Sequence, residues 1–409
     1  MKNNRLIFYF FGEVGNYDHY NPAYVCNKEH TPEILYIISL NEPFSISKYE
    51  IANILNISEK IFDDIINNLQ LIKAIEVKDN TYRINFPIFL EKDVIKMENY
   101  LSNIAEVMGD KIISLRNVLN KNLLNLECVK YHSKERILYH IICDYIFDGA
   151  AFDFFTERNI FCTSKLQPGN RDYIIVGYED SKVVETHSNK LLCSSNNYRS
   201  SGFVFNSFGD SNGSRKDIYR FFRLIQKSID TSTPFHDLNI AYNRVIDDMN
   251  KEIVRSCGEL ISNILYKNTD YTQLTEKEKN LVSFLKELEY VDINAADNSI
   301  LINVPLFYAS EKAIIEDISD TILSEVFPVV REVFENFQTN ASDLTAVSHK
   351  VDIKEIANEL WHQIFGSANE YLVKKGFVAL PHNIDGEGRY MRSLTITDSQ
   401  YLFLVKDQS

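Results

Sequence analysis

The alternation of apolar and polar residues divides the front of the chain into short, capped helices followed by a hairpin. Thr31-Pro32 opens the first helix as an N-cap with proline at the first helical position, and Ile34, Leu35, Ile37, Ile38 and Leu40 give it an apolar face. Pro43 ends it. The box Ser47-x-x-Glu50 opens a second helix with Ile51, Ile54 and Leu55 on one face, because each side chain satisfies a backbone amide the other leaves bare. Ser58 caps a third helix from about Glu59 to Leu71, where Ile61, Phe62, Ile65, Ile66 and Leu69 recur at helical spacing. The period then drops to two, so Ile75–Val77 and Tyr82–Phe86 predict short strands around the turn Lys78-Asp79-Asn80.

This order, carried by ISKYEIANILNISEKIFDDIINNLQLIKAIEV, resembles the winged helix-turn-helix domain of bacterial transcription regulators of the ArsR or MarR type over about Thr31 to Phe89. Ile51-Ala52 stands where that family carries an apolar-Ala pair, and Leu71–Val77 resembles its link into the wing. The resemblance implies that the third helix enters the major groove and the wing touches the backbone. By position it makes Lys60, Asn67 and Asn68 base-facing and sets Lys73, Lys78 and Arg83 near phosphates, with Lys48 a further cation of the face. Asparagine amides can read adenine edges and lysines neutralise phosphate, so these residue types suit DNA.

Much of the pattern recurs. Asp79–Phe89 (DNTYRINFPIF) returns as Asp297–Phe307 (DNSILINVPLF) with six of eleven residues shared, against roughly one for unrelated segments. The displacement of 218 returns again where Ile146-Phe147 matches Ile364-Phe365. Asp93–Asn122 predicts one long helix or two shorter ones, with Ile95, Met97, Leu101, Ile104, Val107 and Met108 on one face, and Glu311–Gln338 is its counterpart. Lys134–Arg158 and Ile353–Lys375 predict a further pair of helices. Hairpins follow, with Cys162–Leu166 and Tyr173–Tyr178 flanking one turn and Phe377–Leu380 and Tyr390–Thr397 the other. The capping box Thr275…Glu278 and the turn Asp297-Asn298 mark a second, degenerate winged helix.

The expected fold class is therefore α+β: two tandem repeats, each a winged-helix domain followed by a long helix and a helix-plus-hairpin piece, related by pseudo-two-fold symmetry. Its divisions are an N-terminal extension (1–30), winged helix A (31–90), a helical part (91–186), a connecting insert (187–237), winged helix B (238–310) and a second helical part (311–409). The long helices either join two chains in a homodimer or pack inside one.

With 409 residues, 45% of them apolar, the chain can bury an ample core. The early apolar run Leu6–Phe11 is too short for a signal peptide or a membrane helix, which needs ~20 residues. Six cysteines without a CxxC pair fit reduced thiols, so the expected location is the cytoplasm. A net charge of −14 disfavours indiscriminate binding to nucleic acid or membrane. Ser47 to Asn85 holds five Lys/Arg against six Asp/Glu, and Thr269 to Pro305 three lysines against seven acids. If one module reads DNA, it is the first.

In the insert, Lys190–Cys193 and Gly202–Asn206 predict strands, and a glycine-rich loop precedes an expected helix from Arg215 to Ile229. Lys216, Arg220, Arg223 and Lys227 form a cationic stripe on that helix, suited to DNA backbone or to an acidic surface. No hydrolase, metalloprotease, dinucleotide or P-loop signature occurs, and no cofactor is implied. His140, Cys143 and Asp144 share a helix face but read as core rather than as metal ligands, since the positions 218 residues on hold Asn358, Trp361 and His362. The richness in Tyr (23) and Phe (26) permits a small-molecule or peptide pocket. The function expected is a DNA-binding transcription regulator, possible ligand response included; the alternative is a protein- or peptide-interaction module built on acidic winged helices.

Overall fold

The computed structural model describes residues 2–200, 202–213, 215–218, 236–267, 269–340, 343–384 and 386–397. It is an α+β protein with two principal sheets.

The first sheet is centred on β6 (Arg171–Ser181). Strand β1 (Lys2–Glu13) runs antiparallel along it, with Tyr9 opposite Val176, while β4 (Ile88–Phe89) pairs parallel on the other side and β5 (Leu166–Gln167) adds a short arm. The N-terminal stretch, for which the sequence predicts no element, is thus a full strand. Between β1 and β4 lie α1 (Pro22–Cys26), α2 (Thr31–Ser39), α3 (Lys48–Leu55), α4 (Glu59–Leu71) and the hairpin β2 (Ile75–Lys78) and β3 (Thr81–Ile84). Asp79 and Asn80 sit at φ 50° and 56°, the left-handed pair that a two-residue hairpin turn requires. Phe62, Ile65, Ile66 and Leu69 of α4 bury against Ile34, Ile51 and Tyr82. Three expected face residues do not bury: Leu40, Ile54 and Ile61 are 56%, 63% and 45% exposed.

After β4 come α5 (Glu91–Ser114) and α6 (Arg116–Leu123), the two-helix form of the long-helix expectation. Met97, Leu101, Ile104 and Met108 are buried, whereas Ile95 and Val107 face outward. A 3-10 turn (Glu127–Lys130) leads into α7 (Lys134–Leu138), a π-helix (Tyr139–Ala150) and α8 (Ala151–Glu157). The expected ordinary helix is thus π-wound through its middle, an i→i+5 geometry that apolar periodicity does not register. Strand β6 passes through α9 (Lys182–His187) to β7 (Leu192–Ser200) and β8 (Phe203–Asp210), both longer than expected.

The second sheet is centred on β13 (Gly388–Ile396). Strand β8 pairs antiparallel on one side, with β7 beyond it; β11 (Leu306–Tyr308) pairs parallel on the other, and β12 (Asn383–Ile384) adds a short arm. Parallel β4 and β11 lie 218 positions apart, and so do the 3-10 turn Glu127–Lys130 and the short helix Thr345–Ser348. Between β8 and β11 run α10 (His236–Lys267), α11 (Glu276–Glu287) and the hairpin β9 (Val291–Ile293) and β10 (Ile300–Ile302). Then come α12 (Lys312–Asn340), α13 (Thr345–Ser348) and α14 (Ile353–Lys374). The strand expected at Phe377–Leu380 does not form. Gly376 ends α14 at φ 61° and the Phe377 N–H returns to the Leu372 carbonyl, so the helix cap uses that segment.

The largest core draws on both principal sheets and on the helices between them. Trp361 is fully buried among Phe147, Phe155, Phe161 and Phe365, and its indole N–H donates to the Phe147 carbonyl at 2.9 Å. No helix among the described residues is long and apolar enough to cross a membrane.

Candidate nucleic-acid interface

The first module, α2 to the β2–β3 hairpin, is assembled by local hydrogen bonds that its sequence encodes. Ser47 and Glu50 form the complete capping box of α3, and Ser58 caps α4 by accepting from the Ile61 N–H. The Lys48 N–H donates to the Asn80 carbonyl and the Phe44 N–H to that of Tyr82, which ties the wing to the start of α3. One further tie comes from the far half of the chain, where the buried His349 Nδ1 accepts from the Ile84 N–H at 3.3 Å.

The candidate residues share this module but differ in availability. Lys60 and Asn67 lie exposed on the outer side of α4, Lys73 is exposed at its C-terminal link and Lys78 at the wing. Lys48 is engaged instead: its ammonium lies 2.8 Å from Asp63 and 3.1 Å from Glu59, and the Asp63 hydrogen bond, ahead of that from Glu59, raises its pKa. Arg83 pairs with Glu76 on the neighbouring strand and sits over the Phe44 ring. Asn68 accepts from the Lys28 ammonium and donates to the Asp64 carbonyl, so both ends of its amide are in use. Of five cations on the face, two are neutralised and three, Lys60, Lys73 and Lys78, are exposed with no ion pair to another described residue. Tyr49 of α3 is 70% exposed on the same module.

The second module is thinner still. The capping box of α11 forms between Thr275 and Glu278, but the segment before it holds only a 3-10 turn, Tyr271–Gln273, where the first module has α3. Lys279 and Lys286 are paired with Glu276 and Asp292.

In the cationic stripe, Arg220, Arg223 and Lys227 lie outside the described residues. Lys216 is not itself helical and pairs with Glu287. Arg215, the expected first residue of that helix, is instead buried, donating to the carbonyls of Ser194, Ser207 and Asp210.

The set His140, Cys143 and Asp144 lies on the π-helix and is buried. Neither ring nitrogen of His140 has a hydrogen-bond partner, and burial pulls its pKa down to about 3. Burial raises Asp144 to about 7 against the hydrogen bond from Asn206. Among the described residues no group of three or more His, Cys, Asp or Glu is arranged to hold a metal ion.

Periodicity gave no warning of a second buried polar set at the junction of the π-helix, β6 and α14. The Tyr178 hydroxyl donates to Glu359, and the Gln363 amide donates to both Tyr178 Oη (2.8 Å) and Glu359 (3.0 Å). His362 donates from Nδ1 to the Asn358 carbonyl at 3.0 Å, stacks on Phe11 with centroids 4.0 Å apart, and turns Nε2 toward Asp148 at 3.7 Å. Burial raises Asp148 to about 8 and Glu359 to about 7 and lowers His362 to about 4. The carboxyls and the imidazole are therefore mutually compatible as neutral groups. Gln363 also lines a small cleft together with Glu98 and His187, which lie 2.8 Å from each other.

No family model matches this sequence, and no characterised protein or solved structure is detectably similar to it.

Proposed function

We propose that the protein is a transcription regulator that engages DNA through its first winged helix. The observation that carries this reading is the placement of three unengaged lysines, Lys60, Lys73 and Lys78, at the start of α4, at its end and on the wing. In helix-turn-helix docking these positions lie along the groove and its flanking phosphates, with Asn67 between them on the outer side of α4. Three phosphate contacts are few, since each neutralised phosphate contributes about 0.9 to the slope of log K against log salt. The expected complex is weak and strongly dependent on placement, and the carboxylates of Asp63 and Asp64 on the same helix limit it further. The test is footprinting of the DNA upstream of its own gene by the wild-type protein and by Lys60→Ala and Lys78→Ala. Protection that both variants weaken supports the reading; protection that neither changes removes this face from it.

A specific observation favours a second reading. Tyr49, Ile54 and Ile61 are exposed beside Glu59, Asp63 and Asp64, which suits an apolar, basic protein segment better than it suits phosphate. Substitution of Tyr49 by Ala separates the two readings if it abolishes capture of a protein partner while leaving DNA protection intact.

A further inference from the structure

Two buried carboxylates, Asp93 and Glu311, bind the two parts of the chain to each other in the same way. Asp93 accepts from the Leu90 N–H at its own helix start (2.8 Å) and from the Thr345 N–H across the molecule (3.1 Å). Glu311 accepts from the Tyr308 N–H at its own helix start (2.9 Å) and from the Glu127 N–H across the molecule (2.7 Å). Each of these three correspondences, 93 with 311, 90 with 308 and 127 with 345, is a displacement of 218. A second reciprocal pair follows to within one residue: the Cys162 N–H donates to the Lys354 carbonyl, and the Ala379 N–H donates to the Glu135 carbonyl.

Phe147 and Phe365 are also 218 apart, and their ring centroids are 6.0 Å apart. Residues that touch their own counterparts lie beside a two-fold axis, the mark of an isologous interface. A second domain of unrelated origin would have no reason to return each contact with its mirror image.

We infer that the chain is a homodimer closed into one polypeptide, in which residues 1–190 and 191–409 are descendants of one protomer and their seam is a self-sufficient protein–protein interface. The occupant that each face fits is a second copy of the half-chain fold. The exchange is mutual: the helix that follows each module is clasped by the opposite half, and the wing of the first is held by His349 of the second. Divergence then fell on the modules rather than on the clasp, leaving α3 in the first and only a 3-10 turn at the matching place in the second. This inference is independent of what the first module binds.

The test uses the full chain with a protease recognition sequence inserted between Lys190 and Leu191, ahead of β7, and cut to completion. The two pieces should elute together on gel filtration in native buffer, at the volume of the uncut protein, and part only in denaturant. Pieces that part in native buffer overturn the inference. In the cut protein, Asp93→Ala and Glu311→Ala should each weaken association by about tenfold or more, because each removes a buried carboxylate that accepts from an amide of the other half. Loss in only one of the two, or in neither, overturns the claimed reciprocity. If an alanine variant does not fold uncut, Asp93→Asn and Glu311→Gln, which retain one acceptor oxygen, should show smaller and matched losses; unmatched losses count against the inference in the same way.

Discussion

Lys48 and Asp63 hold each other across the face that would meet DNA, the ammonium 2.8 Å from the carboxylate. They are 15 residues apart on successive helices, and the pairing removes one cation from the groove side while leaving a carboxylate close to it. Net charge of the module thus understates how little of its positive charge is available.

Asp63→Asn should consequently strengthen DNA binding. It leaves Lys48 held by Glu59 alone and removes a repulsive charge, so affinity is expected to rise severalfold and the salt slope to steepen by up to about 0.9, the value of one further phosphate contact. Fluorescence anisotropy on one DNA fragment at several salt concentrations checks this. An unchanged or lowered affinity contradicts the proposed docking.

Lys60→Ala should act in the opposite direction, weakening binding across all sequences and reducing the slope by about one. Arg83→Ala should have a smaller effect, because Glu76 already satisfies the guanidinium. A loss from Arg83→Ala as large as that from Lys60→Ala would show that the wing contributes as much as the start of α4 and contradict the ranking.

How much of this was legible in the sequence follows from how local each feature is. The caps at Ser47 and Ser58, the Asp79-Asn80 turn and the buried stripe of α4 depend on neighbours within a few residues, and each is where the sequence places it. Strand β1 was invisible because its partner β6 lies more than 150 residues away and both strands are too apolar to show which face is inward. The π-winding of Tyr139–Ala150 left no trace because 12 mostly apolar residues satisfy any helical period. The engagement of Lys48 and Arg83 depends on side chains brought together only by the folded module, so a residue count could list them as cations but not as spent ones. The set formed by Asp148, Tyr178, Glu359 and Gln363 joins three distant segments and is likewise a product of folding.

That buried set makes stability depend on pH. Asp144, Asp148 and Glu359 are raised to about 7, 8 and 7 by burial, whereas unfolded carboxyls ionise near pH 4, so their contribution is full below about pH 4 and is lost as pH rises through 7 to 8. The buried His140 and His362, lowered to about 3 and 4, act the other way, costing stability as pH falls below about 6.5. Of these five groups only the three carboxyls titrate above that value. The melting temperature should therefore fall between pH 6.5 and 8.5 at constant ionic strength, and Asp148→Asn should flatten the decline. A melting temperature that rises over this interval contradicts the assignment.

Trp361→Ala should destabilise by about 3–5 kcal/mol, the range for deleting a large buried aromatic, and also leaves the Phe147 carbonyl without its indole donor. Ser47→Ala should cost only about 1 kcal/mol, the worth of an N-cap. Urea unfolding followed by circular dichroism measures both, and comparable losses would mean that the shared core is not where the fold is held.

The proposed function meets its most direct test in the salt dependence of binding to the upstream DNA. With Lys60, base-facing in the family-based expectation, counted beside Lys73 and Lys78 as a cation that neutralises phosphate, log K should fall against log salt with a slope of about −2.7, a loss of about fortyfold between 50 and 200 mM. A slope near zero, or the same slope in a variant with all three lysines changed to alanine, would contradict DNA recognition by this face.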